Sequence, residues 1–168
     1  MKQILPETIS YWLFTRCAHQ IVDAASELAA LGWTPATSGN FSMQVDDRHV
    51  AITISGRNKA HLCHDDIMLI DQQGRAVGND ARPSAETLLH SQIYRRWPIM
   101  QVVIHTHSRT QSVASRLFAK SGMVKLRGWE LQKAIAGYHS HEEVLETSSA
   151  HQEEAGDVLA AAVASVPG

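Results

Sequence analysis

The sequence predicts a mixed α/β domain, because segments with helical and with strand periodicity alternate along the chain. Residues 6–31 repeat apolar side chains at close to 3.6-residue intervals, as an amphipathic helix does. Residues 41–54 alternate apolar and polar side chains on both sides of a polar turn, as a β-hairpin does. An apolar run at residues 102–104 is followed by the pair His105 and His107. The chain of 168 residues is long enough for one domain with a substantial core.

The first helix is predicted over residues 6–31. Pro6 suits the first helical position, and Gly32 suits the position after the last turn. We interpret its apolar side chains as core: Ile9, Trp12, Leu13, Cys17, Ile21, Ala24, Ala25 and Leu28.

Four strands are predicted from alternation and turn chemistry. The hairpin consists of residues 41–45 and 49–54, joined by a turn at residues 46–48. A short apolar strand at residues 66–71 turns at Gly74 and returns as residues 75–78.

A second helix is predicted over residues 82–96 and ends at Trp97. Ser84 is a good N-cap. Glu86 then lies in the first turn, where the helix dipole favours a carboxylate, although it is also a candidate acid or base beside a metal ion. Weaker helical or extended patterns follow at residues 109–119, 123–126, 129–135 and 156–164.

Two small polar loops flank the hairpin and predict an anion site. The first contains Ser38, Gly39 and Asn40, and the second contains Ser55 and Gly56, followed by Lys59. Such loops present backbone N–H groups and short donors to an anion, and a lysine adds a point charge for phosphate. Turn chemistry alone explains the same residues about as well.

His105 and His107 form the strongest chemical signal in the chain. A strand alternates its side chains, so two histidines separated by one residue share a face. Two imidazoles at a strand end are half of a metal site, and imidazole suits zinc. The alternative is a pair of surface or packed histidines without a metal.

Composition excludes several classes of function. The formal net charge is −2 and no basic cluster is present, which argues against a nucleic-acid or membrane-surface partner. No apolar run approaches transmembrane length, and the N-terminus does not read as a signal peptide. Cys17 and Cys63 form no CxxC pair, which predicts a reducing, cytoplasmic location.

The assembled motifs resemble those of the class II aldolase family of zinc-dependent sugar-phosphate enzymes, from the N-terminus to about Glu146. These motifs are Thr-Ser-Gly-Asn-Phe-Ser at 37–42, Ile-Ser-Gly-Arg-Asn-Lys at 54–59, Pro-Ser-Ala-Glu at 83–86 and Val-Ile-His-Thr-His-Ser at 103–108. The resemblance implies a three-layer α/β/α fold with a mainly antiparallel sheet, assembled as a homotetramer.

The resemblance also implies roles for individual residues. It places Zn²⁺ on His105 and His107 with Glu86 beside it. It places a sugar phosphate near Asn40, Ser55, Gly56, Lys59 and Ser84. Residues 127–134 resemble the dehydratases of the family, which act on 5-methylthioribulose 1-phosphate in methionine salvage, and Glu130 matches their acid/base position.

The resemblance is incomplete towards the end of the chain. No His-Gly turn that could supply the family's third zinc histidine follows His107. We therefore divide the chain into a class II aldolase-like domain, residues 1–146, and an atypical tail, residues 147–168, with the family's C-terminal part expected to be missing. The alternatives to a dehydratase are a class II sugar-phosphate aldolase and a truncated inactive remnant.

Overall fold

The structure, a computed structural model, describes residues 9–128, 139–140 and 142–148. The chain divides into two compact units, one up to Arg109 and one from Thr110. Among these residues, the first unit holds a five-stranded antiparallel sheet and two α-helices, and the second holds most of a third α-helix and a two-stranded sheet.

Helix α1 spans Tyr11–Ala30 and begins later than its sequence predicts. Ser10 is its N-cap, and the Ser10 hydroxyl accepts a hydrogen bond from the N–H of Leu13. The expectation that the helix starts at Pro6 is therefore wrong, because a serine four residues later supplies the cap. Its end is as expected, since Gly32 follows the C-cap with φ +73°.

The sheet of the first unit has the strand order β4-β3-β2-β1-β5, with every pair antiparallel. The predicted hairpin is confirmed as β1 and β2, and the carboxylate of Asp46 accepts N–H bonds from Arg48 and His49 in its turn. The strands are β1 Asn40–Gln44, β2 His49–Thr53, β3 Ile67–Asp71, β4 Ala76–Val77 and β5 Val102–His105.

Two hydrophobic clusters cover the two faces of this sheet. Phe14 and Ile21 of α1 pack with Phe41 and Leu69 on one face. On the other face, α2, which spans Thr87–Arg96, packs with the alternate residues of the strands. The predicted three-layer α/β/α fold with an antiparallel sheet is confirmed.

Helix α2 does not use Ser84 as its N-cap. Glu86 occupies the N-cap position, and the buried hydroxyl of Ser84 donates to the carbonyl of Thr53 at 2.7 Å instead. Ser84 therefore ties the start of the helix to strand β2, which corrects the prediction. The C-cap is Trp97, as expected.

Strand β5 is short and only partly buried. It ends at His105, so that His107 lies two residues beyond it. Val103 is buried, but Val102 and Ile104 are each more than a third exposed. Strand β5 therefore buries the side that carries Val103, whereas the side that carries Val102 and Ile104 is partly exposed.

The second unit contains most of helix α3, Arg109–Leu117, and a pair of strands. Strand β6, Met123–Leu126, pairs antiparallel with β7, Leu145–Ser148, with Leu126 opposite Leu145. The extended pattern at residues 123–126 is thus a strand, and its partner crosses the domain boundary drawn after residue 146. The helical patterns at residues 129–135 and 156–164 lie outside the described residues. No helix that the structure describes has both the length and the hydropathy needed to span a membrane.

Candidate metal centre

Three potential metal ligands converge where α2 begins and β5 ends. Glu86 is the N-cap residue of α2, His105 is the last residue of β5, and His107 follows two positions later. One donor atom from each lies within 4.8 Å of the other two, and all three residues are half-buried. Two imidazoles and a carboxylate form a donor set that suits a zinc-like divalent cation.

Strand alternation only partly explains why the two histidines lie close together. Their ring centroids are 4.6 Å apart, although His107 is outside β5. The backbone N–H of His107 donates to the carbonyl of Trp33 at 2.7 Å, which fixes the chain against the loop before β1. The two imidazoles therefore lie side by side, and the loop contact of His107 contributes to this arrangement together with the end of β5.

Glu86 and His105 are joined by a hydrogen bond of 2.9 Å from Nδ1 to Oε2. This bond, supported by a second one from the amide of Asn40 and opposed by burial, lowers the pKa of Glu86 to about 2. Glu86 is therefore ionised at neutral pH. Because His105 donates through Nδ1, Nε2 is the ring nitrogen that remains for a metal ion.

The surroundings of His107 favour the neutral form of its imidazole. Burial lowers the pKa of its imidazole, and the neighbouring His105 lowers it further, whereas the carboxylate of Glu86 acts in the opposite direction. A neutral imidazole keeps a lone pair for coordination.

A cavity of about 250 Å³ adjoins the three ligands and is lined by Glu86 and His107. The structure brings together around it all seven residues that the sequence proposed for an anion: Ser38, Gly39, Asn40, Ser55, Gly56, Lys59 and Ser84. The hydroxyl of Ser38 is buried there without a hydrogen-bond partner among the described residues. An unpartnered buried hydroxyl is one that a bound ligand could satisfy.

Lys59 joins the two polar loops. Its side chain is only 1% exposed, and its ammonium donates to the carbonyl of Thr37 at 2.9 Å and to that of Arg57 at 2.7 Å. Burial lowers the pKa of Lys59, and the carboxylates of Asp66 and Glu86 oppose that shift. Two of its three donors hold the loops together, a role that the sequence did not indicate, and one remains for the cavity.

Gly39 is required where the first loop passes β5. Its φ is +79°, and a Cβ placed on it would lie 2.8 Å from the carbonyl oxygen of His105. Only glycine accepts both the conformation and the contact. The loop can therefore approach the ligand-bearing end of β5 closely.

Sequence reasoning missed three buried polar residues behind the centre, Ser42, His90 and Tyr94. They hydrogen-bond to one another, and His90 also contacts Asn40. A signal existed, because Glu86, His90 and Tyr94 are spaced by four and share one face of a helix. Glu130, the other predicted catalytic residue, lies outside the described residues.

The fold and the site define a mixed α/β domain with a candidate metal centre at a strand end, beside a polar cavity. The profile of the family described as "Class II Aldolase and Adducin N-terminal domain" matches residues 19–167. The chain therefore belongs to the class II aldolase and adducin family.

Two bacterial relatives of this chain carry the same name. Methylthioribulose-1-phosphate dehydratase of Stenotrophomonas maltophilia (strain K279a) is 58% identical over 125 residues, which cover 74% of this chain and 59% of the relative. The dehydratase of the same name from Xylella fastidiosa (strain Temecula1) is 51% identical over 146 residues, covering 87% of this chain and 67% of the relative. The matched region thus spans about three fifths to two thirds of these relatives.

Solved structures support the fold. L-fuculose 1-phosphate aldolase from Glaciozyma antarctica PI12 superposes with a TM-score of 0.62 at 20% sequence identity. The superposition covers 77% of this chain and 53% of that one. At this identity the likeness establishes the architecture alone.

Proposed function

We propose that this chain is the metal-binding and phosphate-binding part of a methylthioribulose-1-phosphate dehydratase. The reaction removes water from 5-methylthioribulose 1-phosphate and gives 2,3-diketo-5-methylthiopentyl 1-phosphate, a step of methionine salvage. One observation carries the proposal: Glu86, His105 and His107 converge beside a cavity lined by candidate anion-binding groups, in a chain that is 58% identical over 125 residues to a relative named for this activity.

The donors present fit zinc. Catalytic zinc sites commonly have three protein ligands and an open position, and Glu86 brings the two histidines to that number. Nε2 of His105, a nitrogen of His107 and the carboxylate of Glu86 are the proposed contacts. A bound Zn²⁺ would supply Lewis-acid polarisation of the substrate oxygens.

The cavity fits the phosphate of a ketose phosphate. Lys59 supplies a buried positive charge, Gly56 exposes backbone at φ +76°, and the hydroxyl of Ser38 has no hydrogen-bond partner in the part of the chain that the structure describes. Asn40, Ser55 and Ser84 line the same cavity. Binding of this remote group would hold the reacting carbons in place, so that its energy contributes to orientation.

The reaction needs a base at C3 and an acid at C4. The proton on C3 is acidic because C3 adjoins the C2 carbonyl. A base removes that proton, the C4 hydroxyl leaves as water with a proton from an acid, and the resulting enol becomes the C3 ketone. A carboxylate with a pKa of about 2 is a weak base, so Glu86 suits orientation and metal binding better than proton abstraction. We therefore assign acid–base catalysis to Glu130 first and to Glu86 second.

We also propose that the protein works as a homo-oligomer, a tetramer by family resemblance, in the cytoplasm. The proposed location rests on two cysteines that are both free thiols, Cys17 and Cys63.

Metal analysis tests the centre directly. We expect one equivalent of zinc per chain after equilibration and dialysis, and at least tenfold weaker zinc binding in His105→Gln and His107→Gln, because each removes one of three ligands. His61→Gln is the matched control, since His61 is exposed and outside the cavity. Equal zinc affinity in all four proteins would contradict the proposed centre.

Product analysis distinguishes a dehydratase from an aldolase and from an inactive remnant. Zinc-loaded protein incubated with 5-methylthioribulose 1-phosphate should release the diketone, and His105→Gln should not. An aldehyde from a panel of ketose phosphates would instead indicate the aldolase alternative. Stoichiometric zinc without turnover of any of these substrates would support the inactive remnant.

A further inference from the structure

A buried chain of hydrogen bonds runs from the interior of the first unit to the metal centre. The hydroxyls of Tyr94 and Ser42 are 2.8 Å apart, and the Ser42 hydroxyl is 2.6 Å from Nδ1 of His90. Nε2 of His90 is 2.6 Å from Oδ1 of Asn40, and the amide nitrogen of Asn40 donates to the carboxylate of Glu86. Five side chains thus connect end to end. We call this series the buried hydrogen-bond chain.

The carboxylate fixes the direction of every bond in the chain. An ionised Glu86 can only accept, so the Asn40 amide nitrogen must face it and the amide oxygen must face His90. Nε2 of His90 therefore carries the proton and donates. Burial lowers the pKa of His90 to about 3, which keeps the ring neutral, so Nδ1 accepts from Ser42. Ser42 in turn accepts from Tyr94.

The reverse arrangement is strongly disfavoured. It would turn the oxygen of the Asn40 amide towards the carboxylate of Glu86, where two acceptors repel each other. One proton arrangement satisfies all four contacts, and any single break leaves a buried polar group unpaired.

Burial of these polar groups costs free energy compared with apolar side chains, which suggests that they have a function. Ser42 and His90 are 0% exposed and Tyr94 is 2% exposed, on the face of the sheet where the rest of the cluster is apolar. Apolar residues of similar volume would fill this space without requiring four matched contacts. His90 and Tyr94 are four residues apart on α2, and Asn40 and Ser42 are two residues apart on β1. Each pair therefore shares one face of its element, and the polar groups form a continuous series that ends at Glu86.

We infer that His90, held by Ser42 and Tyr94, is a positioning residue for the metal centre. It fixes the Asn40 amide with its N–H towards Glu86, and Glu86 in turn orients His105. This inference rests on the proposed function insofar as the centre binds a divalent metal. Its effect is exerted through Asn40, because His90 is not one of the three candidate ligands and does not line the cavity.

Cobalt substitution tests the inference without an activity assay. We expect His90→Leu to bind Co²⁺ about tenfold more weakly than the parent chain and to alter its visible absorption spectrum, as loss of outer contacts to metal ligands does. His90→Gln can donate to Asn40 and accept from Ser42, so it should recover the affinity to within about threefold. Ile93→Ala is the structural control, because Ile93 is buried on the same helix and outside the chain of bonds.

The outcomes separate the inference from the proposed function. A parent chain that binds no Co²⁺ overturns both. A parent chain that binds Co²⁺, with a His90→Leu variant of equal affinity and spectrum or an Ile93→Ala variant that loses both equally, overturns the inference alone. If His90→Leu does not fold, Ser42→Ala replaces it with the same expected direction.

Nitrogen NMR supplies a readout that does not depend on metal. In the metal-free protein, His90 should show a single neutral tautomer with the proton on Nε2 from pH 5 to pH 8. A proton on Nδ1, or a mixture of tautomers, would overturn the assigned direction of the bonds.

Discussion

Glu86 and Lys59 line the same cavity. The carboxylate of Glu86 accepts hydrogen bonds from two further side chains, His105 and Asn40, and its charge state decides what it can do for them. These contacts lower the pKa of Glu86 from an ordinary 4.5 to about 2. A group with a depressed pKa stabilises the folded state above its unfolded pKa, and this contribution is lost as the pH falls towards the folded value.

Glu86→Gln should therefore change how stability depends on pH. In metal-free protein we expect the variant to be less stable than the parent by about 1–3 kcal/mol at pH 7, because a charge-assisted contact is lost. The difference should shrink as the pH falls from about 4.5 towards about 2. Urea unfolding at several pH values measures it, and a difference that is constant with pH would show that the charge of Glu86 contributes nothing.

Gly39 is the second residue on which the centre depends. Gly39→Ala should cost about 2–3 kcal/mol, because the alanine meets both a positive φ and the carbonyl of His105 at 2.8 Å. Gly56→Ala is the matched control: its φ is +76° but no atom lies within 4 Å of the added Cβ, so about 1 kcal/mol is expected. Unfolding curves and zinc titrations of both variants check this, and equal losses would mean that the contact with His105 is unimportant.

The role of a residue could be predicted where the signal lay in its neighbours along the sequence. It could not be predicted where its contacts came from distant parts of the chain. His105 and His107 were found from their spacing. His90 was missed because Ser42 and Asn40, which explain it, lie 48 and 50 positions away. Periodicity assigns a residue to a face, but it does not identify what that face meets.

At the scale of elements, Ser84 illustrates how a good local signal can be used differently. Its sequence context suits an N-cap, yet its hydroxyl bonds to Thr53 and its carbonyl accepts from Thr87. The β2 strand competes for the serine because the chain returns to the sheet at this point, as the bridge between Ile54 and Pro83 indicates. Tertiary contact thus displaced the start of α2 by two residues.

Ser84→Ala should loosen the junction between β2 and α2. We expect a loss of about 1–2 kcal/mol, because the hydroxyl and the carbonyl of Thr53 each lose one buried hydrogen-bond partner. Ser26→Ala, on the exposed side of α1, is the control and should stay within about 0.5 kcal/mol of the parent. Thermal unfolding followed by circular dichroism distinguishes the two. A Ser84→Ala protein as stable as the control would show that its hydroxyl is dispensable.

At the scale of the whole molecule, local sequence patterns could not predict the order of the strands in the sheet. The hairpin of β1 and β2 followed from a short turn, whereas β1 pairs with β5 across about 60 residues, placing Asn40 opposite His105. That long-range pairing brings the polar loop to the histidines. The family resemblance implied a mainly antiparallel sheet but did not specify this pairing, because periodicity and motif spacing do not identify which strands are neighbours.

The three candidate ligands of the metal centre all lie in the first unit. Glu86, His105 and His107 all precede Arg109, so the second unit, from Thr110, supplies none of these three donors. The sequence also contains His139, His141 and His151 in that unit, in contexts unlike a metal-binding turn. A variant with all three replaced by glutamine should keep the zinc stoichiometry of the parent and an affinity within about threefold.

The matched comparison is His105→Gln in the unaltered chain, which should lose affinity at least tenfold because one of three ligands is gone. Competition with a chromophoric chelator measures both proteins under the same conditions. If the triple variant loses zinc as His105→Gln does, a histidine beyond Arg109 completes the centre, and the ligand set of Glu86, His105 and His107 is wrong. If it does not, these three side chains suffice, with any open position filled by solvent or substrate.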